Sequence, residues 1–148
     1  MSFPVASVEI RVISHATENI EKVLESLKNV LTEEVYEGVN FSEEKLEGHH
    51  GNPIILIKTK IYSKSYARKI IRNIFSRLED FDRNLLLKRV EDNVDEDGNF
   101  YLRLDKQAAY NGMFRISNSD PIHLKIKLAV PRKQKEKITE FFRGMIKQ

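Results

Sequence analysis

The stretch IILIKTKIYSKSYARKIIRNIFSRL, residues 54–78, decides the fold class because its hydrophobic period changes halfway along. In its first part Lys58 and Lys60 alternate with apolar or small positions, which is typical of a β-strand. Ser63 then offers a good helix N-cap. The residues after it carry an apolar stripe at helical spacing: Tyr66, Ala67, Ile70, Ile71, Ile74, Phe75 and Leu78. A strong strand followed at once by a strong amphipathic helix predicts helices packed on a sheet.

The predicted helix also carries a row of bases. Lys64, Arg68 and Arg72 recur at i, i+4 and i+8, with Lys69 beside them. Because the apolar stripe faces the core, these bases face solvent or a partner. Several clustered Lys and Arg side chains neutralise phosphates, so we predict that Lys64, Arg68, Lys69 and Arg72 contact a nucleic acid. The alternative is a solvated helix face that only keeps the protein soluble.

Alternation, caps and turn residues predict the elements on either side of this unit. A helix is expected after Thr17 as its N-cap, and a second one over residues 82–94. Pro131 is expected to end the last strand before a C-terminal helix. Further strands are predicted over residues 5–13, 39–47, 100–104, 113–116 and 122–130. This order predicts an α+β fold, with a largely antiparallel or mixed sheet and helices packed on it, and residues 1–148 as a single domain.

Composition describes an ordinary globular chain, with 41% hydrophobic and 32% charged residues among 148. The absence of cysteine excludes disulfides, thiolate zinc sites, iron–sulfur clusters and a cysteine nucleophile. No apolar run is long enough to span a bilayer, and residues 1–4 show no secretory signal. We therefore expect a cytoplasmic protein without a membrane partner.

The charge is small in total but unevenly distributed. The net charge is only +3, yet residues 51–80 carry seven bases against two acids. Residues 123–148 carry eight bases against two acids. A chain sorted in this way can present a basic face to phosphates despite its modest total charge.

The GHHG motif, residues 48–51, has the G-x-x-G spacing of KH domains, in which the loop joins two helices. Here it falls between two predicted strands, which favours a hairpin loop in which glycine serves only the backbone geometry. His49 and His50 are expected at the tip of this loop, where their rings can border a nucleic-acid site.

The acidic run from Glu91 to Asp97 does not form a calcium loop. If Gly98 takes the place of the EF-hand glycine, Leu104 falls where a bidentate glutamate is required. Solvated turn residues explain the run better. No catalytic, metal-binding or cofactor-binding set is visible in the chain, so none is predicted. A metal-dependent nuclease that uses Asp95 and Asp97 stays open as an alternative.

The segment DKQAAYNG, residues 105–112, is polar and follows directly on a predicted strand. Asp105 can cap one helical turn and Gly112 can end it. Lys106 and Gln107 then lie within one turn of Tyr110, so the three can offer a phosphate contact, a hydrogen bond and a stacking plane. In the structural alternative, Tyr110 packs its ring while Lys106 stays in water.

Three motifs together resemble a known family: ISHATEN (13–19), LEGHHGNPI (46–54) and DEDGNFYLRLDKQAAYNG (95–112). They resemble an archaeal family of small, exosome-subunit-like RNA-binding proteins, and the resemblance runs from about Val8 to Val130. It implies a double-stranded-RNA-binding-like fold, similar to ribosomal protein five of the large subunit. It also implies RNA as the partner and a link to the exosome, to other RNA-processing proteins or to ribosome biogenesis. It carries over no catalytic residue.

Residues and resemblance together predict a single, non-catalytic RNA-binding α+β domain that recognises structured RNA mainly through shape and phosphate. The first alternative is a protein–protein adaptor in an RNA-processing assembly, docking through the aromatic C-terminal helix. The second is the nuclease already described.

Overall fold

Strand β1 is the centre of the sheet that organises the chain. The computed structural model describes residues 4–129 and 135–147. Within them the sheet has five strands in the order β2-β3-β1-β5-β4, and every neighbouring pair is antiparallel. The strands are β1 Val5–His15, β2 Ser42–Glu47, β3 Pro53–Ile61, β4 Asn99–Leu104 and β5 Ile122–Leu128. The predicted α+β class with an antiparallel sheet is confirmed.

Six α-helices complete the described part of the chain, together with two short 3-10 turns, His49–Gly51 and Val90–Asn93. Among the described residues, no helix combines the length and the apolar character needed to cross a bilayer. The helices are α1 Ile20–Leu31, α2 Glu33–Gly38, α3 Lys64–Arg77, α4 Asp80–Lys88, α5 Lys106–Tyr110 and α6 Lys135–Lys147.

The helices cover one face of the sheet and form the core with it. Alternate residues of β1, among them Ile10 and Val12, are buried on this face, and α3 and α1 pack against the strand. The ring of Phe100 stacks on Phe142 with centroids 4.2 Å apart and meets Phe75 edge-on at 6.4 Å. Each such buried side chain stabilises the fold by about 1.5–3 kcal/mol.

Two predicted caps are confirmed. The Ser63 hydroxyl accepts a hydrogen bond from the Tyr66 amide at 3.2 Å, so α3 begins at Lys64. The Asp105 carboxylate accepts one from the Ala108 amide at 2.8 Å, so α5 begins where the sequence predicted. Gly112 follows α5 with a φ of +75°, a conformation that glycine adopts without steric cost.

The start of α1 differs from the prediction. Its N-cap is Asn19, whose side chain accepts a hydrogen bond from the Glu21 amide at 2.9 Å, and not Thr17. Two residues earlier the chain is still turning out of β1, because the Glu18 amide donates to the His15 carbonyl at 2.9 Å. The helix therefore begins only after this turn is complete.

Other boundaries also differ. Residues 113–116 form no strand but two isolated bridges, Phe114 with Leu78 and Ile116 with Leu104, because the segment contacts two separate elements. The predicted helix over 82–94 stops at Lys88 and continues as a 3-10 turn. Helix α2 was not predicted, since six residues are too few to show a period. Pro131 lies outside the described residues.

Candidate nucleic-acid interface

The second face of the sheet carries basic side chains and is not covered by any helix among the described residues. Directly opposed residues of antiparallel strands point to the same face, so the register identifies which side chains share it. Glu9 and Glu44 are the acidic residues of the strands on this face. Six bases, which we call the sheet-face bases, share it with them: Arg11, Lys58, Lys60, Arg103, Lys125 and Lys127.

Three of these bases and His123 form a row across neighbouring strands. Arg11 pairs with Lys58 on one side and with His123 on the other, and His123 pairs with Arg103. Neighbouring strands lie about 4.8 Å apart, so the row spans roughly 14 Å. None of the six sheet-face bases forms an ion pair with another described residue. Their charge is therefore available to an external anion.

His123 is in the middle of this row, and its environment keeps the imidazole neutral. Burial lowers the pKa of His123, and the positive charges of Arg11, Arg103 and Lys125 lower it further, while Glu9 opposes them. A phosphate bound beside His123 would offset these positive charges and favour the protonated ring. The row can therefore gain a further positive charge when an anion binds.

Tyr101 carries an aromatic ring on the same face, and a carboxylate holds it in place. Its hydroxyl donates a hydrogen bond to Asp95 Oδ2 at 2.8 Å, and its ring lies 5.9 Å from that of His123. Asp95 also accepts from the amides of Asp97 and Asn99 and from the Asn99 side chain. Burial raises the pKa of Asp95, but these hydrogen bonds outweigh it and lower the pKa overall. Burial and the bond to Asp95 raise the pKa of Tyr101.

These bonds also show the role of Asp95 in the acidic run that follows α4. Asp95 uses both carboxylate oxygens within the protein, two hydrogen bonds on each. It is therefore a turn residue that leads into β4, as the turn interpretation of the sequence predicted. A nuclease site based on Asp95 would first have to break these four bonds.

A depression of about 540 Å³ lies beside the row of bases. Arg11, Arg103 and His123 line it together with apolar residues, and Asn118 and Asp120 complete the lining. Such a lining can contact both a flat apolar group and an anion. The apolar residues are Val12, Ile13, Leu46, Leu56 and Pro121.

A second depression on the same face, of about 400 Å³, is polar. Lys60, Lys125 and Lys127 line it together with Glu9 and Asp97. Tyr101 pairs with Lys125, and Arg103 at the first depression pairs with His123, so the two rings lie between the depressions. Along the strands the open face therefore offers first apolar and basic groups, then the two rings, and then the lysines of the polar depression.

The bases predicted on α3 form a separate patch. Lys64, Arg68 and Arg72 are exposed, as the helical period predicted. Lys69 is ion-paired with Glu34 of α2. Because α3 packs on the covered face of the sheet, its bases do not join the sheet-face bases.

Lys106 lies elsewhere than predicted, and its assignment needs correction. The side chain is buried, and its ammonium donates to the Ile13 carbonyl at 2.7 Å and to Glu18 Oε1 and Asp120 Oδ2 at 2.8 Å each. His15 contacts Asp120 at 3.1 Å, so the cluster contains three residues of metal-ligand type, but the lysine ammonium already pairs with both carboxylates. An ammonium has three hydrogens, all used here. Lys106 therefore connects the segments of Ile13, Glu18 and Asp120, and it has no hydrogen left for a phosphate.

Gln107 is exposed and Tyr110 half-buried, on the helical side of the molecule. The ring of Tyr110 lies under the Lys22 ammonium at 5.6 Å. Helix α1 separates this segment from α3: Asn29 donates to the Tyr110 carbonyl at 3.2 Å, and Asn73 of α3 donates to the Asn29 carbonyl at 2.9 Å. The α3 bases and residues 105–112 therefore do not form one continuous surface.

Arg72 precedes Asn73, so its side chain projects about 100° around the helix axis from the one that faces α1. The α3 bases thus point away from Tyr110. Sequence spacing placed each residue correctly on its own helix, but the relative position of the two helices depends on contacts that are remote in the chain.

The two histidines of the GHHG motif lie where the β2–β3 hairpin turns, as expected. His50 is exposed and has a φ of 65°. The side chain of His49 lies outside the described part of the structure. The turn is at the end of the sheet where His15 pairs with Ile54, and the row of bases lies further along the strands.

Sequence reasoning missed most of the sheet-face bases. Of the six, only Lys58 and Lys60 are recognised in the sequence, as alternating positions of a strand. The signal was present, because every basic position alternates with buried apolar ones, as in Leu124, Lys125, Ile126 and Lys127. The strand order, which brings these positions together, could not be seen in the alternation.

Comparisons with known proteins find relatives over most of the chain. A family model described as RNA binding matches residues 7–128. RNA-binding protein PAB1135 of Pyrococcus abyssi is 38% identical over 139 residues, which cover 93% of this chain and 90% of that protein.

Solved structures share the fold over nearly the whole chain. Mth689, a DUF54 protein from Methanothermobacter thermautotrophicus, is 30% identical with a TM-score of 0.82, and the match covers 97% of this chain and 99% of that one. AF2318 from Archaeglobus fulgidus, of the same family model, is 29% identical with a TM-score of 0.80, covering 95% and 99%.

Proposed function

The chain belongs to the RNA-binding family whose model it matches, and from this premise we propose that it binds RNA through the open face of its sheet. The observation that carries the proposal is the convergence of the six sheet-face bases from four strands, without an internal ion pair among described residues. Phosphates of an RNA backbone are the ligand that matches such a surface, because each Lys or Arg side chain can replace a condensed counterion.

The α3 bases provide a second, smaller contact in this proposal. Lys64, Arg68 and Arg72 are exposed along one side of a helix and suit a row of phosphates in a paired region. An RNA that folds back on itself could meet both patches at different places along its chain. The proposal therefore keeps structured RNA, recognised mainly through shape and phosphate, as the ligand class.

The proposed role is non-catalytic. Three carboxylates in the clusters described above are engaged within the protein: Asp95 by four hydrogen bonds, and Glu18 and Asp120 by Lys106. The adaptor alternative is less well supported, since Phe142 of α6 is buried and stacked on Phe100 and is not available for docking. As the setting we propose RNA processing by the exosome, or ribosome biogenesis, because the family resemblance implies such a link. The cytoplasm remains the expected location.

The test is a titration of a fluorescently labelled hairpin RNA with an unpaired overhang, at a series of potassium chloride concentrations. Neutralisation of four to six phosphates predicts a slope of log affinity against log salt of about −3 to −5. The RNA recovered after incubation with Mg²⁺ or Mn²⁺ should be intact. No binding at low salt, or a slope near zero, would overturn RNA binding through charge, and metal-dependent cleavage would overturn the non-catalytic role.

A further inference from the structure

We propose that the open sheet face binds an unpaired segment of RNA, with one base stacked on the ring of Tyr101. This inference rests on the proposed function and specifies its ligand. Bases can reach an aromatic side chain in this way only where they are not paired and stacked within a helix.

The first support is the fixed orientation of the ring. The hydrogen bond from Tyr101 to Asp95 holds the hydroxyl end, and Asp95 is itself held by the amides of Asp97 and Asn99. A side chain that is already ordered loses little entropy when a ligand covers it. The ring therefore offers a prepared stacking plane on a surface that is otherwise rich in mobile lysines.

The second support is the apolar lining of the larger depression. Ile13, Leu56 and Pro121 form a surface that phosphates cannot use and that the face of a base can cover. Arg11 and Arg103 line the same depression, so they can hold the backbone of the nucleotide whose base enters it. A double helix keeps its base faces inside and would leave this lining in water.

The third support is the order of groups along the strands. The apolar depression ends near Pro121, the rings of His123 and Tyr101 follow, and the polar depression extends to Lys127. Residues 121–127, which run from the residue before β5 to Lys127, span about 20 Å. A short extended strand can therefore place one base in the depression, a second on Tyr101 and its next phosphates on the lysines.

The experiment compares an unpaired RNA with the same sequence in a fully paired duplex, for the wild-type protein and two variants. Tyr101→Leu removes the ring, and Tyr101→Phe keeps the ring but loses the hydrogen bond to Asp95. We expect the wild type to prefer the unpaired RNA. Tyr101→Leu should bind that RNA roughly 5- to 150-fold more weakly, with little change for the duplex.

Tyr101→Phe is the matched control and should stay within about threefold of the wild type, since the stacking surface is retained. Circular dichroism melting should show that both variants are folded. As a second readout, RNA carrying 5-iodouridine should form a photo-crosslink that mass spectrometry places on Tyr101.

The outcomes separate this inference from the proposed function. Equal or tighter binding of the duplex, together with an unaffected Tyr101→Leu variant and no crosslink at Tyr101, would overturn the unpaired-strand inference while RNA binding stands. Failure of the wild type to bind either RNA would overturn both.

Discussion

Lys106 and the lysines of the open sheet face carry the same functional group but differ in burial and in bonding partners. Lys106 is 9% exposed, and its three hydrogens go to a carbonyl and two carboxylates. Lys58 and Lys127 are exposed and have no ion-pair partner among the described residues. The first lysine stabilises the fold, and the other two are available to a ligand.

The difference shows that a lysine does not contact a ligand merely because it lies in a distinctive motif. What decides is whether its hydrogens already have partners, because an ammonium that already binds two carboxylates gains nothing by exchanging one of them for a phosphate. In this chain the most distinctive motif contains the structural lysine, while the binding surface is made of ordinary-looking strand positions.

The largest effect is expected from removing the charge of Lys106. Lys106→Met should lower the free energy of unfolding by about 2–4 kcal/mol, because Glu18 and Asp120 would lose their shared partner. The estimate is below that for a fully buried pair, since these carboxylates are 30% and 41% exposed. Urea unfolding measures the change.

Lys58→Met is the matched control for this measurement, with the same substitution on the open face. It should change the free energy of unfolding by less than about 0.5 kcal/mol. Equal destabilisation by both variants would remove the distinction between the two kinds of lysine.

The next largest effect concerns RNA affinity. A triple variant of the open face, Arg11→Gln, Lys58→Gln and Arg103→Gln, should bind hairpin RNA roughly 100-fold more weakly at low salt, with a salt slope shallower by about 2. Its unfolding free energy should stay close to that of the wild type, because these side chains form no ion pair with a described residue.

The α3 triple variant, with Lys64, Arg68 and Arg72 each changed to Gln, removes the same charge from the other surface. We expect a loss of less than about 10-fold. If the α3 variant proved the weaker binder of the two, the main contact would have to be assigned to the helix.

A smaller effect is expected from pH. In the free protein the pKa of His123 is lowered by burial and by its basic neighbours, so the ring is neutral near pH 7. A bound phosphate favours the protonated form, so RNA binding should take up a proton and tighten by several-fold as pH falls from about 7 toward 5. His123→Gln should flatten this dependence, whereas His50→Gln at the hairpin tip should leave it unchanged.

The smallest effect is the acid sensitivity of the Lys106 cluster. Burial raises the pKa of Asp120, but hydrogen bonds and charge from Lys106 and His15 outweigh it and hold the pKa below its ordinary value of 3.8. This carboxylate therefore stabilises the fold above about pH 4 and loses its contribution as pH falls further. Asp120→Asn should reduce that acid-dependent loss by under about 1 kcal/mol in thermal melts, because the group is partly exposed.

Elements with a strong period could be predicted from the sequence. Strand β3 and helix α3 appear where residues 54–78 change period, and the caps at Ser63 and Asp105 are formed as expected. Short or weakly patterned segments could not be predicted from the sequence. Helix α2 has one buried residue, Val35, and residues 113–116 meet two different elements, so neither shows a period of its own.

The candidate site was only partly predictable. The α3 bases are exposed as their spacing required, yet Lys106 was assigned to RNA and is bound within the protein. Glu18 and Asp120 are 88 and 14 residues from Lys106 in the chain, and no local pattern links them.

The amino-acid order was sufficient to predict the α+β class, the amphipathic helix α3 and the exposed bases on it, because the hydrophobic period depends on neighbours within one or two turns. Only the tertiary structure decided the strand order, which brings six basic side chains to one face. It also decided the burial of Lys106, which makes this lysine a structural residue and not a surface cation. The physical reason is that pairing between distant strands and neutralisation of a buried charge are set by long-range contacts, which local periodicity does not encode.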